Sequence, residues 1–443
     1  MIASNLVLVR TETDSPRFRY TLDIVLGRLL GLQWKIVPAG NDNDLEMDAT
    51  INYSATPSSG HINLFPSGLL SEKGVHDLQP DVFIWDGVPV FFRVPDGGDL
   101  PFDPFSMAFF LVTRYEEYRP HLQDKHGRFA VENSLAYRHD FLHFPVVHVI
   151  AARLGELLRK RFPFLETNMP AYSFTPTVDV DIAYAHLGKD LVRATGGFAK
   201  LVLTGRYDQL KQRMAVIAGK QDDPYDNFRF QVDSFREFGL EAIYFILIGD
   251  YGPYDKNISY RNKRFRSLIR WLSENTEVGI HPSYRSFDEP VRLEEEINRL
   301  RDITGKEILH SRRHFLRMKF PDSLKQLISC GITHDHSMGF ASVNGFRAGI
   351  CVPYPFYDLN MDQTKNLLIH SFAFMDTAMQ DYLKIKPQEY LIFVKSLQES
   401  VMKYGGNLSG IWHNYAMADD HLKHQSFLDI LKMVSHDKVS SSK

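Results

Sequence analysis

Hydrophobic and polar positions along the chain fall into two rhythms. In the first third they are mixed. Residues 5–9 read as a short strand, and residues 18–32 carry apolar side chains at helical spacing. Residues 83–92 read as a hairpin turning at Asp86-Gly87. Asp103-Pro104-Phe105 opens a helix that runs through Phe110 and Tyr115 and ends near Tyr118-Arg119-Pro120. A further helix over Val146–Arg161 closes the segment, and residues 162–170, with proline near both ends, read as a linker. These elements predict an α+β module over residues 1–165.

From residue 171 the rhythm becomes strand, helix, strand. Candidate strands are 173–181, 242–248, 278–281, 308–315, 331–335, 367–375 and 408–412. Amphipathic helices over 227–238, 264–273, 291–304 and 387–404 lie between several of them. Short strands separated by helices predict parallel βαβ units. Seven of them favour a closed or nearly closed β/α barrel over residues 171–435.

Composition narrows the class. The chain has 443 residues, 44% hydrophobic and 24% charged, which excludes disorder as the main state and allows two or three domains at about 100–200 residues each, or a barrel of about 250 among them. Lys+Arg number 51 against 54 Asp+Glu, so no basic excess points to nucleic acid. Cys330 and Cys351 are the only cysteines. That excludes a disulfide framework and a four-cysteine zinc site, and it suits a reducing compartment. The first ten residues lack a basic start and meet charge early, unlike a signal peptide. No run reaches the ~18 apolar residues of a membrane span. A cytoplasmic protein is expected.

The strongest candidate chemistry is Thr177-Val178-Asp179-Val180-Asp181. Alternate residues of a strand share a face, which puts both carboxylates ~7 Å apart at the strand's C-terminal end. Barrel enzymes keep their sites at that end. Two such carboxylates repel unless a metal or an arginine lies beside them. A solvated strand end, or a cap for the next helix, is the plain alternative. Glu277-Val278-Gly279-Ile280-His281-Pro282-Ser283-Tyr284 brings a histidine to the same rim, as a metal ligand or as a structural hydrogen-bond partner. In Ser311-Arg312-Arg313-His314-Phe315, alternation puts Arg312 and His314 on one face. Gly410-Ile411-Trp412-His413-Asn414 delivers another histidine from the last strand. Asp335-His336-Ser337 and Gly345-Phe346-Arg347-Ala348-Gly349 read as loops that support the site or only turn the chain. Asp222-Asp223-Pro224-Tyr225-Asp226 reads as a helix cap in preference to a metal loop.

This series (Thr-x-Asp-x-Asp, Gly-x-His, Arg-x-His and a terminal Trp-His) resembles polysaccharide deacetylases of carbohydrate esterase family 4. It is most similar to bacterial chains that join an uncharacterised N-terminal domain to that catalytic domain. The likeness spans residues 171–420, and Arg114-Tyr115-Glu116-Glu117-Tyr118 resembles the N-terminal partner. The resemblance implies a distorted seven-stranded β/α barrel. It implies a base at Asp179 and a metal ligand at Asp181. His281 matches the family's first ligand histidine, but Arg285 stands where the second belongs. His314 is then the expected third ligand, Arg312 orients the base, and His413 acts as general acid. Tyr284, Arg347 and Trp412 are expected to line the substrate.

The activity so implied is a metal-dependent, zinc-type hydrolase that removes N-acetyl groups from an acetylated amino sugar or polysaccharide precursor. Three alternatives stay open. One is a metal-free carbohydrate-binding scaffold, because the second-motif histidine is missing. Another is a glycosyltransferase using Asp179 and Asp181 as an Asp-x-Asp site, although no phosphate-binding glycine-rich turn follows the first strand. The third is a glycoside hydrolase built on the paired carboxylates. No serine sits in a Gly-x-Ser-x-Gly elbow, which weakens a serine hydrolase.

Overall fold

The structure, a computed structural model, describes residues 5–38, 49–189, 195–196, 201–418 and 420–435. The N-terminal part is built on strands β1 (Leu6–Thr11), β2 (Gln33–Pro38), β3 (Ala49–Tyr53) and β4 (Ile62–Leu64). They pair in the order β2-β1-β3-β4, all parallel. The expected α+β module is therefore an α/β one: the helix Pro16–Leu22, capped by Ser15 and continued as a π-helical stretch over Asp23–Leu29, crosses from β1 to β2. The hairpin forms as β5 (Phe83–Trp85) and β6 (Val88–Val90), with Asp86 and Gly87 both at positive φ. The Asp103-capped helix stops at Val112, short of the expected end, because Arg114 adopts a left-handed backbone and Tyr115–Tyr118 winds as a separate 3-10 turn.

The C-terminal part is one curled sheet of β7 (Tyr172–Val180), β8 (Ile243–Ile246), β9 (Glu277–Ile280), β10 (His310–Ser311), β11 (His334–Met338), β12 (Tyr354–Asp358), β13 (Gln363–Ser371), β14 (Phe374–Met375) and β15 (Gly406–His413). Its order is β12-β13-β11-β10-β9-β8-β7-β15-β14, nine strands where the sequence suggests seven. Antiparallel β12 was not foreseen. The strand expected at 367–375 divides in two: β13 pairs with β11, and β14 with β15 at the far side of the sheet. Between them the Phe372 N–H donates to Met338 O and the Ala373 N–H to Ser409 O. One segment thus bonds to both sides, and the sheet curls into a barrel-like form. The helices Phe228–Glu237, Lys263–Asn275, Pro290–Thr304 and Tyr390–Tyr404 bury apolar stripes.

The N-terminal and C-terminal sheets are separate, yet a single apolar core continues from one to the other. At their contact lies a buried ionic network drawn from the Arg114–Tyr118 segment. Glu117 accepts from Arg114 Nε at 2.7 Å and from Arg347 Nε and Nη2 at 2.9 and 2.5 Å, and Arg114 also reaches Glu116 and the Arg347 carbonyl.

Candidate metal centre and active site

Strand alternation sorts β15 and β7 into inner and outer residues. Ile411 packs inside the curl with Phe372, Met375 and Leu316, so His413 also faces inward. Trp412 faces outward between Phe174, Phe235, Phe374 and Phe427. On β7, Thr177 and Asp179 face the interior, where Arg312 Nη1 donates to both at 2.7 and 3.0 Å. Phe245 lies under this group, with the Arg312 guanidinium 4.5 Å from its ring centroid. Gly279 leaves room for that ring: a Cβ there would sit 2.7 Å from both Phe245 and the His310 carbonyl.

Above this floor, Asp181, His281 and His314 each offer a ligand atom within 4.8 Å of the others. His281 Nε2 stands 3.1 Å and His314 Nε2 3.5 Å from Asp181 Oδ1. Neither approach has hydrogen-bond geometry, and this buried oxygen is left without a partner. The other ring nitrogens are committed. His281 Nδ1 donates to the Arg312 carbonyl at 2.5 Å, and His314 Nδ1 to Asp255 Oδ1 at 2.9 Å. A carbonyl can only accept, which puts the His281 proton on Nδ1 and leaves its Nε2 free as a lone-pair donor. The electrostatics favour a positive charge here. Burial alone would lower the His314 imidazole, but the Asp181 and Asp255 carboxylates outweigh it and raise it to about 10. Burial likewise works against the Asp181 carboxylate, yet His314 and His281 hold it well below the ordinary range. A cation that takes the place of the His314 proton fits this set, with metal binding coupled to proton release.

Two further pairs flank the cluster. Asp179 is tied to Arg312 through Oδ1, while its Oδ2 lies 4.0 Å from both His281 Nε2 and His413 Nε2. His413 Nε2 is also 3.9 Å from Asp181 Oδ2. Its Nδ1 donates to Asp376 Oδ1 at 2.7 Å. Burial would lower the His413 imidazole, but Asp376 prevails and raises it to about 9. Asp179, Asp181, His281, His314 and His413, with Leu316, Met375 and Tyr415, line a cavity of about 240 Å³.

The expected residues Asp179, Asp181, His281, Arg312, His314 and His413 thus come together, though His314 arrives by a different route. The strand expected over 308–315 ends at Ser311. Beyond it Phe315 and Leu316 both take left-handed backbone, at φ 58° and 54°. Such a conformation costs an L-residue roughly 1–2 kcal/mol. Arg285 does not enter the gap; it is exposed and pairs with Glu289. The three expected substrate residues lie outside this cavity. Trp412 is core, because it alternates with His413. The Arg347 guanidinium is spent on Glu117 and the Gly339 carbonyl. Tyr284 does not line the cavity; it stacks on Tyr254 with ring centroids 4.1 Å apart, beside Phe315. Asp335-His336-Ser337 is strand β11, not a loop, and Arg312 Nε donates to the His336 carbonyl. Asp223 does not cap the following helix, whose N-cap position is Asn227; its carboxylate accepts the backbone N–H groups of Ala185, His186 and Leu187.

Sequence reading missed Asp255, Asp376 and Tyr415. Asp376 had a usable signal, since it ends an apolar strand as His413 does. Asp255 sits in an irregular loop with no period to betray it.

Residues 7–163 match the family described as "Family of unknown function (DUF7033)". No curated protein matches the chain. Among solved structures, a Mycobacterium smegmatis protein described as a polysaccharide deacetylase is 14% identical with a TM-score of 0.41, covering 60% of this chain and 85% of that one. A polysaccharide deacetylase from Bacillus cereus is 11% identical with a TM-score of 0.29, covering 61% and 89%. A mutant with restored activity, made from a pseudoenzyme of carbohydrate esterase family 4, is 10% identical with a TM-score of 0.30, covering 62% and 65%. No helix among the described residues is long and apolar enough to cross a membrane.

Proposed function

We propose that the chain is a metal-dependent hydrolase that removes N-acetyl groups from an acetylated amino sugar or polysaccharide precursor. One observation carries this reading: an orphaned carboxylate oxygen of Asp181, flanked by two imidazoles whose Nδ1 atoms are already engaged, beside a second carboxylate and a third histidine. Asp181, His281 and His314 would hold the ion, and zinc suits one carboxylate and two imidazoles with positions left open. When bound, such an ion polarises an acyl oxygen and acidifies a water beside it.

The chain's own residues supply the proton transfers. Arg312 occupies Asp179 Oδ1 and leaves Oδ2 toward the cavity, where it takes a proton from the attacking water. His413, kept protonated at neutral pH by Asp376, gives a proton to the amide nitrogen. The C–N bond breaks, the water oxygen joins the acyl carbon, and amine and acetate leave. The glycosyltransferase reading is less well served, because Arg312 already neutralises Asp179. The test is metal content together with acetate release from N-acetylglucosamine oligomers, before and after chelation. Release that stops with the chelator and returns with zinc is expected. Sugar binding without metal or acetate would favour the scaffold instead.

A further inference from the structure

The N-terminal module reaches the site through one small turn. Leu122 to Ala130 fold back on themselves: the Asp124 N–H donates to the Arg128 carbonyl, and the Ala130 N–H to the Leu122 carbonyl. Asp124 Oδ1 accepts the His126 and Arg128 N–H groups at 2.8 and 3.1 Å, and Gly127 supplies the positive φ that ends the turn. The Asp124 carboxylate thus holds the turn through its own backbone.

What it presents to the barrel is specific. Arg128 Nε donates to Asp124 Oδ2 at 2.7 Å, which aims the guanidinium, and its Nη1 donates to the Phe315 carbonyl at 2.8 Å. Phe315 is the left-handed residue directly after His314. From the barrel side, Arg317 Nε donates to the His126 carbonyl and Nη1 to the Tyr284 carbonyl, both at 2.9 Å. His126 also packs on Phe315 and lies within 3.3 Å of the Tyr284 hydroxyl. Tyr284 closes the turn that follows His281, and Phe315 the turn that carries His314. The 124–128 turn therefore joins both turns that carry imidazoles. Arg128 lines the site cavity and also a neighbouring cavity of about 420 Å³ whose wall includes Lys125 and Phe129.

We infer that the N-terminal module is a working part of the site: its 124–128 turn clamps the turns bearing His281 and His314, with Arg128 as the positioning residue for His314. This rests on the metal reading above for its consequence, but the clamp itself does not. Left-handed backbone at two successive bulky residues persists only when its surroundings enforce it, and Arg128 is a group that does so from outside the barrel.

The experiment compares the full chain with Arg128→Ala and Arg128→Lys. Amide hydrogen exchange at residues 313–317 is read first, and affinity for zinc, by competition with a chromophoric chelator, second. Arg128→Ala is expected to speed exchange at 313–317 while the N-terminal strands stay protected. Zinc affinity should fall by about 10–100-fold, the usual effect of losing a group that orients a ligand. Arg128→Lys keeps a charge beside Asp124 but lacks the second branch, so it should fall between; it also serves if the alanine variant does not fold. Unchanged exchange at 313–317, or zinc affinity within twofold of the unsubstituted chain, overturns the inference. If the unsubstituted chain binds no zinc, the metal reading fails, and the exchange result alone upholds or overturns the clamp.

Discussion

Asp376 accepts both the backbone N–H of His413 and its ring Nδ1–H, each at 2.7 Å. A single carboxylate thereby sets the position of β15's end, the tautomer of the imidazole and its charge. Asp376→Asn should lower the His413 pKa from about 9, so the alkaline limb of kcat/KM moves to lower pH. The loss at neutral pH is bounded by the roughly 10²–10⁴-fold that general acid–base catalysis contributes. A pH–rate profile checks it, and an unmoved alkaline limb would mean that His413 is not the acid.

Asp179 and Asp181 lie at the same strand end but have different neighbours, and the proposed mechanism gives them separate tasks. Asp181→Asn should lower metal content and activity together. Asp179→Asn should keep the metal and lose about 10²–10⁴-fold in rate. Metal analysis and acetate release on both variants decide the matter. Metal lost from the Asp179 variant alone would reverse the roles.

Glu117 holds two buried arginines, Arg114 and Arg347. Burial would raise its carboxyl, but Arg347 and Arg114 keep it below the ordinary value. Glu117→Ala leaves both cations without their shared partner, and such changes cost about 3–5 kcal/mol. Denaturant unfolding measures this. Arg347→Lys, in turn, should lower stability while leaving KM near that of the parent, since the guanidinium is committed to the fold. A large KM change with intact stability would restore Arg347 to the substrate.

Four histidines meet on neighbouring strands inside the sheet. His310 Nδ1 is 3.0 Å from His336 Nε2, and His334 Nδ1 is 2.9 Å from His370 Nε2. Burial, and then repulsion among them and from Arg312, pushes His336 well below its usual value and His370 to about 3. Burial and His334 take His310 to about 4. The unfolded chain then binds more protons than the folded one between these values and the ordinary ~6.5, so stability rises with pH across that window. It should be complete above about pH 6.5 and decline toward pH 4. Urea unfolding at several pH values should show a smaller decline for His336→Leu than for the parent chain. Parallel curves would remove the cluster as the cause.

Periodicity and strand-end chemistry carried much of this protein on their own. The alternation Thr177, Asp179, Asp181 is a local property of extended backbone, so those side chains share a face wherever the strand lies. His281 and His413 were legible for the same reason, each closing an apolar run. Trp412 shows the limit of that logic: the same alternation that turns His413 inward turns its neighbour outward, and only the position of the sheet says which side is the cavity. The N-terminal strands were read as α+β because parallel pairing is a non-local fact, settled by the crossover of the Pro16–Leu22 helix. His314 reached the site through a left-handed turn that no propensity favours and that contacts from residues 124–128 accompany. Asp255 and Asp376 became partners of His314 and His413 only when segments 59 and 37 residues away closed on them. Hydrogen bonds of that span leave no periodic trace, because loop closure, packing and charge pairing choose them after the strands have assembled.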